Sequence, residues 1–139
     1  MKEIRENFEL KQREIADILK VDRSTYAGWE IGKDTIPLRK LNDFCNYFDV
    51  SIDYIVGISS QKKYNIINKE IDLQTVGKNL KLIRLNNNLK QKDIFNLLNT
   101  TSSTYSVYET CKVLIQTSFI YQIAKKYNCS IDWILGKTK

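Results

Sequence analysis

The sequence predicts an all-α chain made of two tandem five-helix units, and three observations predict it. First, sliding the 139 residues against themselves gives one gapless register of 79: Leu10-Lys11-Gln12 answers Leu89-Lys90-Gln91, and Ser24-Thr25-Tyr26 answers Ser103-Thr104-Tyr105. Glu30 answers Glu109, Lys33 answers Lys112, and Ser51-Ile52-Asp53-Tyr54-Ile55-Val56-Gly57 answers Ser130-Ile131-Asp132-Trp133-Ile134-Leu135-Gly136. A repeat sustained at this length fixes the architecture before any local reading does. Second, the apolar residues recur at helical spacing. Third, five Gly and one Pro are too few for a β-rich fold with many tight turns. The repeat divides the chain into a unit at 1–58, a linker at 59–74 and a unit at 75–139, the linker opening on the polar run Ser59-Ser60-Gln61-Lys62-Lys63.

Each element has its own signal. Ile15, Ile18 and Leu19 follow the i, i+3, i+4 rule, as do Ile94, Leu97 and Leu98. Asp22 and Thr101 are N-cap residue types standing before Arg23-Ser24-Thr25 and Ser102-Ser103-Thr104, where the next helix of each unit starts. Pro37 marks the turn into a fourth helix, whose apolar stripe is Leu41, Phe44, Cys45 and Phe48, matched by Ile120, Ile123, Ala124 and Tyr127. Ser51 and Ser130 open short terminal helices, from Ile52 to Val56 and from Ile131 to Leu135, that stop at Gly57 and Gly136.

Composition removes several function classes. There is no His, so the commonest general base and the commonest metal ligand are both missing. Cys45, Cys111 and Cys129 are odd in number and form no C-x-x-C pair, which fits core thiols in a reducing compartment and not a zinc site. No Gly-rich phosphate loop or nucleophile elbow is present, so an enzyme is not expected, nor is a cofactor. The charged start Met1-Lys2-Glu3-Ile4-Arg5-Glu6 is unlike a signal peptide, and no run approaches a membrane span. The expected location is the cytoplasm, at the nucleoid when bound to DNA.

The stretch from Gln12 to Lys33, Gln-Arg-Glu-Ile-Ala-Asp-Ile-Leu-Lys-Val-Asp-Arg-Ser-Thr-Tyr-Ala-Gly-Trp-Glu-Ile-Gly-Lys, resembles the phage repressor and Cro-type (XRE-family) helix-turn-helix domain, as do Pro37 and the closing Asp49-Val50-Ser51-Ile52-Asp53-Tyr54-Ile55. The resemblance covers nearly all of the first unit and most of the second. It implies two tandem repressor-like helix-turn-helix domains, each with one helix across the DNA backbone and a second entering the major groove. Ile15, Ala16 and Leu19 then form the buried face of the first of these helices, and Tyr26 and Trp29 anchor the second. Phe95 replaces Ala16 in the second unit, so that crossing is expected to widen or the ring to turn away.

With Tyr26 and Trp29 inward, Arg23, Ser24, Ala27 and Gly28 face outward, and the resemblance makes them the base-reading positions. Arg23 suits a bidentate contact to guanine and Ser24 bonds to several bases. Arg23 also reads as a plain solvated charge. By resemblance Gln12 and Lys33 contact phosphates, with Thr35 a weaker candidate. The second unit presents Ser102, Ser103, Ser106 and Val107 at the matching positions, short groups that spell no strong code, while Gln91, Lys90, Lys92 and Lys112 remain for phosphates. Cys111 and Gln116 replace Gly32 and Pro37, a departure from the family pattern in the turn that follows. The family also pairs Arg5 with Glu30 and Arg84 with Glu109 as buried salt bridges, a structural role.

The 22 Lys+Arg against 16 Asp+Glu give +6, which favours a polyanionic partner. The charge is not evenly shared. Residues 1–60 hold 9 basic and 11 acidic side chains, whereas residues 76–139 hold 10 and 3. Either the second unit supplies phosphate attraction while the first discriminates sequence, or one unit binds DNA and the other packs on a partner. The linker, at ~3.3 Å per residue extended, spans ~55 Å, so its length permits half-sites one helical turn apart. The expected function is a sequence-specific DNA-binding regulator, a repressor, whose partner is double-stranded DNA with a homodimer or a regulatory protein as further partners. The alternative is an antitoxin-like interaction module that keeps the fold with one or both reading faces inactive.

Overall fold

Ten residues take positive φ, and they fall into five pairs seventy-nine residues apart: Glu9 with Asn88, Lys20 with Asn99, Gly32 with Cys111, Asp49 with Asn128, and Gly57 with Gly136. The repeat is therefore present in the backbone as well as in the residue types. These are the points where helices stop, because a left-handed residue carries the chain out of the helix. The second unit places Asn at three of them, the side chain that tolerates this conformation best after Gly.

The computed structural model describes residues 1–139, with ten helices and no strand. The first unit contains α1 (Lys2–Asn7), α2 (Gln12–Leu19), α3 (Arg23–Glu30), α4 (Leu38–Phe48) and α5 (Ile52–Val56). The second contains α6 (Leu73–Asn86), α7 (Gln91–Leu97), α8 (Ser102–Glu109), α9 (Thr117–Lys126) and α10 (Ile131–Ile134). α6 takes in Leu73 and Gln74 from the segment expected as linker, and Asp72 caps it by accepting from the Gln74 N–H at 3.1 Å. Ser51 and Ser130 cap α5 and α10 through the N–H groups of Tyr54 and Trp133. Asp22 stands at the N-cap of α3 without a side-chain bond, whereas Thr101 accepts from the Thr104 N–H.

Packing follows the apolar stripes. Ile15, Ala16 and Leu19 of α2 are buried, and Ile18 lies on the exposed side. Tyr26 and Trp29 meet edge to face at 6.2 Å, and Tyr105 and Tyr108 repeat the contact at 6.0 Å. Phe95 turns its ring to the core and stays half-buried. The turn after α8 keeps the path of its counterpart despite Cys111 and Gln116: Cys111 has φ 64° where Gly32 has 76°, and Gln116 has φ −68° where Pro37 has −59°.

One contact is specific to the second unit. α6 crosses the end of α8 at Gly77, where an added Cβ would lie 2.8 Å and 2.9 Å from the Glu109 and Tyr108 carbonyls and clash with Cys111 Sγ. Backbone carbonyls do not yield, so Gly77→Ala is expected to destabilise the second unit by about 1–3 kcal/mol. A lower denaturant midpoint at unchanged slope reports this, and Cys111→Ala in the same chain should not rescue it.

The segment between the units is not a free tether. The Lys62 carbonyl accepts from the Ser51 N–H, Lys63 pairs with Asp49 at 2.9 Å, and the Lys69 carbonyl accepts from Asn42 and Asn46. Ile67 N–H donates to the Lys137 carbonyl. The ~55 Å reach allowed by chain length is therefore not used. The two units pack directly on each other, α5 against α10, within one continuous core.

Candidate nucleic-acid interface

α2 and α3 meet around a buried ion pair. Arg5 Nε donates to Glu30 at 2.7 Å and Arg5 Nη1 to the Leu10 carbonyl at 2.7 Å, which ties α1 to the end of α3. Arg84 does the same for Glu109, at 3.0 Å, and for the Leu89 carbonyl, at 3.1 Å. Burial alone pushes the Glu30 carboxyl up, but the Arg5 guanidinium, with the Tyr26 hydroxyl and the Gln12 amide beside it, outweighs it and holds the group down at about 2. The carboxylate is thus a fixed negative charge under the start of α2.

Gln12 sits on that charge. Its Nε2 donates to Glu30 at 3.0 Å, which turns its Oε1 outward to accept from Arg23 Nη1 at 3.1 Å. A chain Arg5–Glu30–Gln12–Arg23 therefore runs from the interior to the exposed first turn of α3. It orients the Arg23 guanidinium, and an oriented side chain loses less entropy on binding. Gln91 makes the matching bond to Glu109 at 3.3 Å, but Ser102 stands where Arg23 would be and the chain ends there.

The other sequence-predicted residues divide. Arg23, Ser24, Lys33, Ser102, Ser103 and Lys112 are exposed, while Gln12, Ala27, Gln91 and Ser106 are half-buried at the edge of the same surfaces. Thr35, Lys90 and Lys92 are exposed too. Gly28 does not face outward. It is buried because the turn after α3 folds over it: the Lys33 and Asp34 N–H groups donate to its carbonyl, and a Cβ there would lie 3.2 Å from Asp34 Oδ2. Val107 occupies the same place beneath Lys112 and Val113 and packs on the core. Both residues belong under the turn and not among the readers, because helical periodicity alone does not show where a following turn will land.

Sequence reasoning missed the arrangement around the recognition helices. The loops that follow α3 and α8 come together, and Thr35 to Arg39 face Leu114 to Ser118 across a shallow cleft of about 460 Å³. The N-termini of α4 and α9 open onto this region and neither carries a side-chain cap. Such termini present unpaired N–H groups that suit phosphate oxygens. No group of three His, Cys, Asp or Glu side chains is arranged to hold a metal ion, and no helix is long and apolar enough to cross a membrane.

Comparison with known proteins bears on both units separately. Residues 1–55 match a family described as helix-turn-helix, and residues 77–138 match a second described as helix-turn-helix domain. The chain is a tandem helix-turn-helix protein of the repressor/Cro type. These families are DNA-binding and not enzymatic. A curated relative of this helix-turn-helix chain is the uncharacterised HTH-type transcriptional regulator YobD of Bacillus subtilis (strain 168), 25% identical over 107 residues, covering 63% of this chain and 96% of the relative. No solved structure matches the helix-turn-helix chain.

Proposed function

We propose that the protein is a sequence-specific DNA-binding regulator of transcription that acts as a repressor, with α3 as its principal reader. The observation that carries this is the Arg5–Glu30–Gln12–Arg23 chain, which delivers a held guanidinium at the N-terminal end of α3, the end that enters the major groove in helix-turn-helix proteins. Arg23 and Ser24 read bases, Ala27 contacts a thymine methyl at the helix edge, and Gln12, Lys33, Gln91 and Lys112 contact phosphates. Ser102, Ser103 and Ser106 form a weaker second reader. The printed name of the curated relative, a transcriptional regulator, supports the same reading.

The test is a mobility-shift assay on DNA from upstream of the protein's own gene, at two salt concentrations. Binding should weaken as salt rises. Arg23→Ala should weaken it further by about 10–100-fold, the worth of one bidentate base contact of ~1–3 kcal/mol. A salt-insensitive complex, or none, together with a stoichiometric protein partner would instead favour an interaction module, the reading that the acidic balance of residues 1–60 supports.

A further inference from the structure

The contacts between the two units are reciprocal. Asp132 accepts from the N–H groups of Ile52 at 3.1 Å and Asp53 at 2.9 Å, and Asp53 accepts from the Ile131 N–H at 2.7 Å and from Ser130 Oγ at 2.5 Å. Each aspartate thus caps the short helix of the other unit. The two stand at the same position of the repeat, and both are buried. Loops at matching positions line the cleft that follows the two recognition helices, with Ile36 and Ile115 buried beside it. This is the pattern of an isologous dimer interface, in which one patch meets its own equivalent about a two-fold axis. Here both halves of that interface belong to one chain.

Symmetry is broken at defined points. Thr117 Oγ1 donates to the Ile36 carbonyl at 2.7 Å, from a position where the first unit has Leu38. Lys137, where the first unit has Ile58, is 1% exposed and reaches across to Asn42 Oδ1 at 2.6 Å and Asn46 Oδ1 at 3.2 Å. The reading faces differ as well, with Arg23 held in one unit and Ser102 in its place in the other.

We infer that one copy of this chain saturates a non-palindromic operator of two unlike boxes, a guanine-containing box read by α3 and a degenerate box held by α8. The inference rests on the DNA-binding reading above. A second copy has no part in it, because the surface through which a second copy would pair, at Ile52, Asp53, Ile131 and Asp132, is consumed within the chain. The spacing between boxes is set by the buried contacts and the docked connecting segment, so it is single-valued. The excess of basic side chains in residues 76–139 makes phosphate attraction the main hold on the degenerate box.

The full chain is used to select binders from a randomised duplex pool, and the mass of the complex with a selected duplex is measured by sedimentation. The expected outcome is one chain per duplex, with one sharp and one degenerate box about 10 bp apart centre to centre. Arg23→Ala, an exposed substitution, should erase the sharp box alone. Inserting 5 bp or 10 bp between the boxes should each weaken binding at least tenfold. Two chains on an inverted repeat, or a single box indifferent to insertion, overturns the inference while leaving DNA binding intact. A pool that yields no enriched sequence overturns the DNA-binding reading itself.

Discussion

Replacing Arg5 with Ala is expected to cost the first unit about 3–5 kcal/mol, the usual consequence of leaving a buried charge without its partner. The Glu30 side chain is 2% exposed, so water cannot replace the guanidinium, and the neutral Gln12 amide and Tyr26 hydroxyl beside it do not replace its charge. The Leu10 carbonyl would lose its partner as well. In a unit this small each kcal/mol is worth about 4–8 °C of melting temperature, so the fall should exceed about 10 °C in a circular-dichroism melt. Adding Glu30→Gln should recover part of the loss, because no charge is then buried; a loss below about 1 kcal/mol in Arg5→Ala would contradict the account. The sign with pH is fixed by the same pair. The Glu30 carboxyl is held at about 2 against an ordinary 4.5, so its stabilisation is present above pH 4.5 and disappears as pH falls towards 2. Arg5→Ala should therefore flatten the acid limb of the stability curve.

Asp132→Ala should loosen the contact between the two units without unfolding either. It strands the buried N–H groups of Ile52 and Asp53, at about 1–3 kcal/mol for each buried donor left unsatisfied. It also removes a charge whose attraction favours the Lys137 ammonium, which burial already disfavours. Hydrogen exchange is the direct reading. The amides of Ile52, Asp53 and Ile131 should exchange faster, while those of Ile15 in α2 and Ile94 in α7, helices away from this contact, keep their protection. Uniform acceleration across both units would mean that Asp132 supports the fold generally and not the interface. Asp53→Ala should give the mirror result, with the Ile131 amide, whose acceptor is lost, most affected.

What the sequence revealed and concealed follows from where each interaction lies along the chain. The helices, their caps and the Arg5–Glu30 pair are set by spacing within one unit, and a repeat displays each of them twice. The aspartates at 53 and 132 were visible in the repeated Ser-Ile-Asp motif, but an acidic residue in the first turn of a helix ordinarily faces water beside its own N-terminus. Only the tertiary placement of α5 against α10 sends each to the other helix. Lys137 reads as a chain-end charge until the fold buries it. Gly28 and Val107 were misplaced because the apolar period places a residue on a helix face and is silent about the turn that covers it. The connecting segment looked like a tether because its polar residues bind backbone groups, and such bonds leave no periodic trace.

The central claim is that both units touch one duplex. It is tested most directly by titrating salt against binding of the full chain to a fluorescent operator duplex. The logarithm of the binding constant should fall linearly with the logarithm of salt, by about 0.9 for each phosphate contact. Lys33→Ala and Lys112→Ala, exposed substitutions one in each unit, should each reduce the slope by about 1 with the other unit unchanged. If Lys33→Ala reduces the slope and Lys112→Ala leaves it untouched, the second unit is off the DNA and the claim is wrong.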